Sequence, residues 1–173
     1  MWWLFVSQER ANVNATKLLI SQHGEVAGLF KEFESAENSE ARRRLFEEIA
    51  DKLAIHTTIE EGVFYPAVYV GELKDLLKEA VEEHLSAKRV IAELLQMDLD
   101  DENFVGKVKV LQELIEHHVD EEETELFPKV NANFADVELE ALGDEMEAMR
   151  ESLQRGEPRK RVPSETDAAA PLT

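Results

Sequence analysis

A chain of 173 residues with 43% hydrophobic side chains holds enough material for one domain with its own core, and only seven glycines and five prolines interrupt it. Nineteen basic against 38 acidic side chains give a formal charge of −19, which repels phosphate backbones and anionic lipid heads and argues against nucleic-acid and membrane-surface partners. There is no cysteine, so disulfides, thiolate metal sites and thiol catalysis are excluded, and any metal must rest on nitrogen and oxygen.

The opening Met1-Trp2-Trp3-Leu4-Phe5-Val6 is apolar, but it lacks a basic flank and is too short for a signal core or a membrane span. Residues 1–13 read either as an N-terminal arm packed along the domain or as a frayed start, and the chain reads as cytoplasmic. A first helix is expected from Asn12 or Asn14, both good caps, to about Ser35, with Leu19, His23, Val26, Phe30 and Phe33 on one stripe. The second, from about Ser39, carries Ile49, Leu53, His56, Glu60 and Val63 inward, and Pro66 is expected to stop it.

Gly71 opens a loop into a third helix whose inner face is Leu77, Ala80, His84, Ala87, Ile91 and Leu94, ending near Asp98. The fourth, from about Glu102, presents Phe104, Val108, Leu111, Ile115, His118 and Glu122 and is expected to end at Leu126-Phe127-Pro128. A shorter amphipathic helix follows over about Val137 to Leu153. From residue 155 onward apolar periodicity disappears, and the segment reads as a disordered tail. The fold class is therefore all-α: an antiparallel up-down four-helix bundle over residues 14–154, including an extra C-terminal helix, followed by the tail over residues 155–173.

Two halves of the bundle repeat one another. His56-x-x-x-Glu60 precedes Phe64-Tyr65-Pro66, and 62 residues later His118-x-x-x-Glu122 precedes Leu126-Phe127-Pro128. His23 and His84 occupy equivalent places in the other two helices. On a helix, residues i and i+4 project one above the other, so each motif offers an imidazole and a carboxylate to one point in the core. An ionised carboxylate on an apolar stripe is costly unless it is paired or metal-bound, and two such carboxylates lie there beside four histidines. The donors His23, His56, Glu60, His84, His118 and Glu122 suit a pair of cations. Imidazole and carboxylate without thiolate favour iron, with manganese or zinc as alternatives. His117 lies about 100° around the helix from His118 and should point away. Glu61, Glu121 and Glu123 are likewise rotated off the stripe, although a shift of one residue in register would bring Glu61 and Glu123 in.

These residues resemble the hemerythrin superfamily, most closely its histidine-histidine-glutamate cation-binding branch, whose ligand order is H, HxxxE, H, HxxxE; the match runs from about Asn14 to Pro128. The resemblance implies two irons, oxo- or hydroxo-bridged, with His23, His56, His84 and His118 as terminal ligands and Glu60 and Glu122 as bridges. Oxygen-carrying hemerythrins have one more histidine a turn after the third-helix ligand, where this chain has Lys88, and a carboxylate five residues after the last histidine, where this chain is read with Glu122 at four. The departure suggests an open iron position; Tyr65 and Tyr69, just past the second-helix motif, are candidates to complete it.

The expected function is a hemerythrin-like protein that binds dioxygen, nitric oxide or hydrogen peroxide at that open position, for sensing, storage or detoxification. A catalase-like, peroxide-consuming enzyme or an oxidase at the same site is the first alternative, and a metal-free helical interaction module the second. A ferritin-like ferroxidase is disfavoured, because no histidine has a glutamate three residues before it.

Overall fold

The computed structural model describes residues 13–98 and 100–172, and among them no strand occurs. Apart from Val13, the expected N-terminal arm lies outside the described residues. Helix α1 (Ala15–Ser35) starts on Asn14, whose Oδ1 accepts from the backbone N–H groups of Thr16 at 3.0 Å and Lys17 at 3.3 Å, two of the donors that a helix start leaves unpaired. Asn38 caps α2 (Ser39–Ile59) in the same way, through Ala41 N–H at 2.8 Å. Gly71, in the left-handed region at φ +47°, turns the chain into α4 (Lys74–Gln96), which is followed by α5 (Phe104–Glu121). Helices α1 and α2 pack as one pair and α4 and α5 as the other, giving the antiparallel up-down four-helix bundle that the hydrophobic stripes require.

The two prolines do not stop their helices as expected. Residues Glu60–Phe64 and Glu122–Leu126 form π-helical turns, closed by hydrogen bonds from Tyr65 N–H to Glu60 C=O and from Phe127 N–H to Glu122 C=O. The chain then continues helically as α3 (Tyr65–Val68) and α6 (Phe127–Asn133), with Pro66 and Pro128 in their first turns. A proline ring clashes with the carbonyl four residues back in a regular helix; a wider π turn placed before it lets the chain pass. Both π turns begin at the glutamate of an HxxxE motif, so the backbone irregularity falls in the histidine layer.

The buried apolar residues divide into two clusters, and in each of the four bundle helices the inward histidine marks the border. Leu19, Ile59, Ala80 and Leu126 lie in the cluster on one side, and Val26, Leu53, Ala87 and Ile115 lie in the cluster on the other. A polar layer thus crosses the middle of an otherwise apolar core, the least favourable place for charge unless something neutralises it.

Helix α7 (Asp136–Leu153) lies along α1 and α2 as the extra C-terminal helix. It approaches so closely that a Cβ built on Gly143 would stand 1.7 Å from the carbonyl oxygen of Val13. Gly143→Ala must therefore push α7 off α1, and a loss of about 1–3 kcal/mol is expected in denaturant unfolding, with the helix content of the folded protein retained.

The tail expected to be disordered is ordered over its length up to Leu172. Pro158–Glu165 form a 3-10 helix against α2 and α4. Arg159 donates to Asp51 Oδ2 at 2.5 Å and to Glu47 Oε2 at 3.2 Å, its backbone N–H reaches Asp51 Oδ1 at 2.9 Å, and Val162 is buried. Tertiary contacts hold this segment: its cations settle on the acidic surface of the bundle. Local periodicity is silent about such anchoring. Among the described residues no helix is long and apolar enough to cross a membrane.

Candidate metal centre

All six residues singled out by spacing meet in the layer between the two apolar clusters, and all are buried. Their inward atoms close a ring. His23 Nε2 lies 3.2 Å from His56 Nε2, and His56 Nε2 lies 3.2 Å from Glu60 Oε2. The same carboxylate oxygen is 3.2 Å from His84 Nε2, which is 3.1 Å from His118 Nε2. Glu122 Oε2 completes the circuit at 3.5 Å from His118 Nε2 and 3.3 Å from His23 Nε2. Each carboxylate thus spans the two helix pairs, as the i,i+4 geometry of the motifs implies.

What the ring atoms can do is decided on the far side of each imidazole. Every Nδ1 has a hydrogen-bond partner: Glu123 Oε1 for His23 at 2.8 Å, Gln22 Oε1 for His56 at 2.7 Å, Glu61 Oε1 for His84 at 3.0 Å and Glu83 Oε2 for His118 at 2.7 Å. Amide and carboxylate oxygens are acceptors, so each imidazole, when neutral, carries its proton on Nδ1 and turns the Nε2 lone pair inward. Stacking of Phe127 on His23 and of Tyr65 on His84 fixes two of the rings further.

With the imidazoles neutral and both carboxylates ionised, six acceptor atoms face one another with no donor among the described residues except the Tyr65 hydroxyl, which donates to Glu122 Oε1 at 2.8 Å and lies 3.3 Å from His84 Nε2. Both oxygens of Glu60 and Oε2 of Glu122 have no hydrogen-bond partner among the described residues. Bare protein atoms arranged this way repel; cations placed between them turn the repulsion into coordination. The fit to metal is therefore good: His23, His56, Glu60 and Glu122 form one group of four donors and Glu60, His84 and His118 a second of three, with Glu60 common to both.

The titration behaviour of the protein atoms alone reflects the same crowding. Burial, then the nearby charge of Glu122, pushes the Glu60 carboxyl well above the usual range. Burial also acts upward on Glu122, but His118, His23 and His56 outweigh it and hold that carboxyl below its ordinary value. Burial and the neighbouring His23 lower His56; burial lowers His84 in spite of Glu61. For His118 the carboxylates of Glu122 and Glu83 overcome burial and raise it. Burial, followed by the charge of Glu122, raises the Tyr65 hydroxyl well above its normal range.

Glu61 and Glu123 point not to the ring but to the backs of the imidazoles, so the register expected from the helix pattern holds. Glu61 is further fixed by Lys88, whose Nζ lies 2.7 Å from its Oε2 and 3.2 Å from Glu165 of the C-terminal segment. Of the two tyrosines, Tyr65 enters the site, whereas Tyr69 lies under the ammonium of Lys74. His117 points away as expected, exposed beside Glu83 and Glu121.

Gln22 and Glu83 were not among the residues that spacing singled out. A signal was present: Gln22-His23 and Glu83-His84 stand 61 residues apart, and Glu60-Glu61 and Glu122-Glu123 stand 62 apart, so the repeat covers the outer hydrogen-bond partners as well as the ring. Beside the histidine layer lies a cavity of about 20 Å³ with apolar walls from Val26, Leu53, Ile115 and Val119, room for about one water-sized molecule.

The Hemerythrin HHE cation binding domain model matches residues 14–130. The chain belongs to the hemerythrin HHE cation-binding family. Among its HHE relatives, the uncharacterized protein Rv2633c of Mycobacterium tuberculosis is 33% identical over 148 residues, covering 84% of this chain and 90% of that one. An uncharacterized hemerythrin-like protein of Schizosaccharomyces pombe is 25% identical over 156 residues, covering 88% and 72%. The crystal structure of the HHE domain-containing homolog of Rv2633c from Mycobacterium kansasii superposes with a TM-score of 0.74 at 31% identity, covering 91% of this chain and 97% of that one. Cation binding is thus the family property of this HHE protein, and a helical bundle with the histidine layer at its centre is how this chain presents the donors.

Proposed function

We propose that this HHE protein holds two iron ions on His23, His56, His84 and His118 through Nε2 and on Glu60 and Glu122 through their carboxylates, and that it binds a small ligand, dioxygen, nitric oxide or hydrogen peroxide, in the cytoplasm for sensing, storage or detoxification. The observation that carries the reading is the ring of six inward acceptors, two of them carboxylates with unpartnered oxygens in a buried layer. Donors limited to imidazole and carboxylate, with carboxylates reaching both helix pairs, favour iron over zinc or manganese. Bound iron supplies redox equivalents and an open coordination position.

The chain's own residues do the rest. Glu61, Glu83, Glu123 and Gln22 accept hydrogen bonds from the Nδ1–H groups, which keeps each imidazole in the tautomer that can ligate and makes it a stronger donor. Val26, Leu53, Ile115 and Val119 exclude bulk water from the cavity. Tyr65 holds a proton against Glu122 inside the site. That buried hydroxyl supports a second reading, a peroxide-consuming enzyme, because cleaving peroxide to water needs a proton source shielded from solvent. A metal-free interaction module is poorly supported, since it leaves the buried carboxylates uncompensated.

Elemental analysis of purified protein, with the visible spectrum before and after exposure to air, tests the proposal. The expected result is two irons per chain with near-ultraviolet bands that change on oxidation. Absence of iron after anaerobic loading, or one tightly held zinc, refutes it. Addition of peroxide to the loaded protein separates the readings: sustained oxygen evolution selects the enzyme, and stoichiometric reaction selects the binding protein.

A further inference from the structure

Among the four residues that back the imidazoles, the repeat that relates the two halves of the site fails at one position. Glu83, which holds His118, has Gln22 as its counterpart, which holds His56. A neutral amide there makes the weaker hydrogen bond, since an ionised acceptor binds an N–H roughly twice as strongly. It also brings a second polar end. Gln22 Oε1 is committed to His56 Nδ1, because a ligating His56 must present Nε2 and therefore carry its proton on Nδ1. The amide Nε2 is then fixed in direction, and it is buried with no acceptor among the described residues, in a side chain only 7% exposed. A donor held dry and unpartnered opposes the conformation that contains it.

Gln22 also occupies a particular place. Together with Val26 it lines the cavity beside the histidine layer, and together with Val26 it lines a second small pocket of about 10 Å³ between α1, α2 and α7, whose more exposed lining, taken as its mouth, is Glu25, Lys52, Arg150 and Gln154. One polar side chain thus stands between the histidine layer and the α7 side of the bundle. Its counterpart Glu83 is held on both oxygens, by His118 and by His117.

We propose that the α1/α2/α7 cleft is the route by which a small neutral ligand of the dioxygen or nitric oxide class reaches the site, and that Gln22 is the gate. In the closed position Gln22 steadies His56. Rotation about its side-chain bonds turns the unpartnered amide toward the polar mouth, where water and the side chain of Gln154 are available to it, and joins the pocket to the cavity. The asymmetry of the repeat gives the site one soft wall and leaves the other three imidazoles on carboxylates.

This inference rests on the di-iron reading, and stopped-flow binding of nitric oxide to the reduced, iron-loaded full chain tests it separately. A neutral probe keeps the charge of the variants out of the measurement. Gln22→Ala removes the gate and is expected to raise the association rate by about tenfold. Gln22→Glu gives His56 a charged acceptor that holds the closed position harder, and is expected to slow association. Gln154→Trp covers the mouth without touching the site and is expected to slow association while iron content and the spectrum stay as in the parent. A purely structural Gln22 would leave the Gln154→Trp rate unchanged. Rates equal to the parent in both Gln22→Glu and Gln154→Trp overturn the gate, even if Gln22→Ala fails to retain iron. A parent that takes up no iron overturns the di-iron reading and this inference with it.

Discussion

Replacing Glu60 by leucine is expected to abolish binding of the proposed metal pair and, at the same time, to make the metal-free protein more stable than the metal-free parent. The two effects have one cause. Glu60 is fully buried, neither of its oxygens has a hydrogen-bond partner, and its Oε2 faces the lone pairs of His56 and His84 at 3.2 Å. Without cations, such a carboxyl is either charged in a poor environment or protonated far above its ordinary range. Replacing buried ionic groups by apolar ones of similar size is often neutral or stabilising by up to about 4 kcal/mol when no counter-ion is left unpaired; His56 and His84, which face Glu60, are disfavoured as cations by burial, and leucine continues the surrounding cluster of Ile59, Val63 and Ala80. With cations the balance reverses, because among the described residues Glu60 is the one donor common to both groups in the ring, so its loss would leave each group a donor short. Melting of metal-free parent and variant, with metal content after loading, checks both halves. A Glu60→Leu protein that keeps two metals, or whose metal-free form melts below the parent, contradicts the argument. The same reasoning says why the residue is there: it is a cost to the fold that only ligand binding offsets.

Much of this was legible in the sequence, for a definite reason. His56 and Glu60, like His118 and Glu122, are one turn apart, and helical periodicity alone places both on the inner stripe; no knowledge of the neighbouring helix is needed. The lone His23 and His84 are legible because every other member of their stripes is apolar. Pro66 and Pro128 were misleading, since local propensity treats a proline as a stop, whereas the π turns that open at Glu60 and Glu122 carry the helices past it. Gln22 and Glu83 act across helices, each resting on the histidine of the partner helix of its pair and not on the histidine next to it. Such contacts follow from packing angle and depth, which a one-dimensional pattern does not encode. Arg159 and Val162 escaped for a similar reason: Asp51 and Glu47, which hold Arg159, lie more than a hundred residues away, and Val162 joins an apolar cluster built by the bundle helices, so nothing in residues 155–173 themselves marks the segment as ordered.

Raising the pH from neutral is expected to weaken the metal-free protein while leaving the metal-loaded protein nearly unaffected. In the metal-free fold His118 titrates above its ordinary value, through Glu122 and Glu83 acting against burial, and Glu60 titrates well above the usual carboxylate range, mainly through burial. A group whose folded pKa is raised binds more protons folded than unfolded, so its contribution to stability is complete below the unfolded pKa and is lost as the pH climbs through the folded one. For His118 that loss lies above about pH 6.5 and for Glu60 above about pH 4.3, the unfolded values. His56 and His84 have lowered values and act the other way, but only below about pH 6.5, where the unfolded chain binds protons that the fold refuses. Below neutrality the two effects therefore oppose each other; above it only the losses from His118 and any remaining proton on Glu60 are left. Metal displaces these protons, so the loaded protein has none to lose in that range, and its affinity for metal rises as the competition from protons falls. Chemical denaturation of both forms at a series of pH values is expected to show their stabilities diverging upward from pH 6.5. Parallel curves would mean that the ring is as well satisfied by protons as by cations, and the buried carboxylates would then no longer argue for a metal pair.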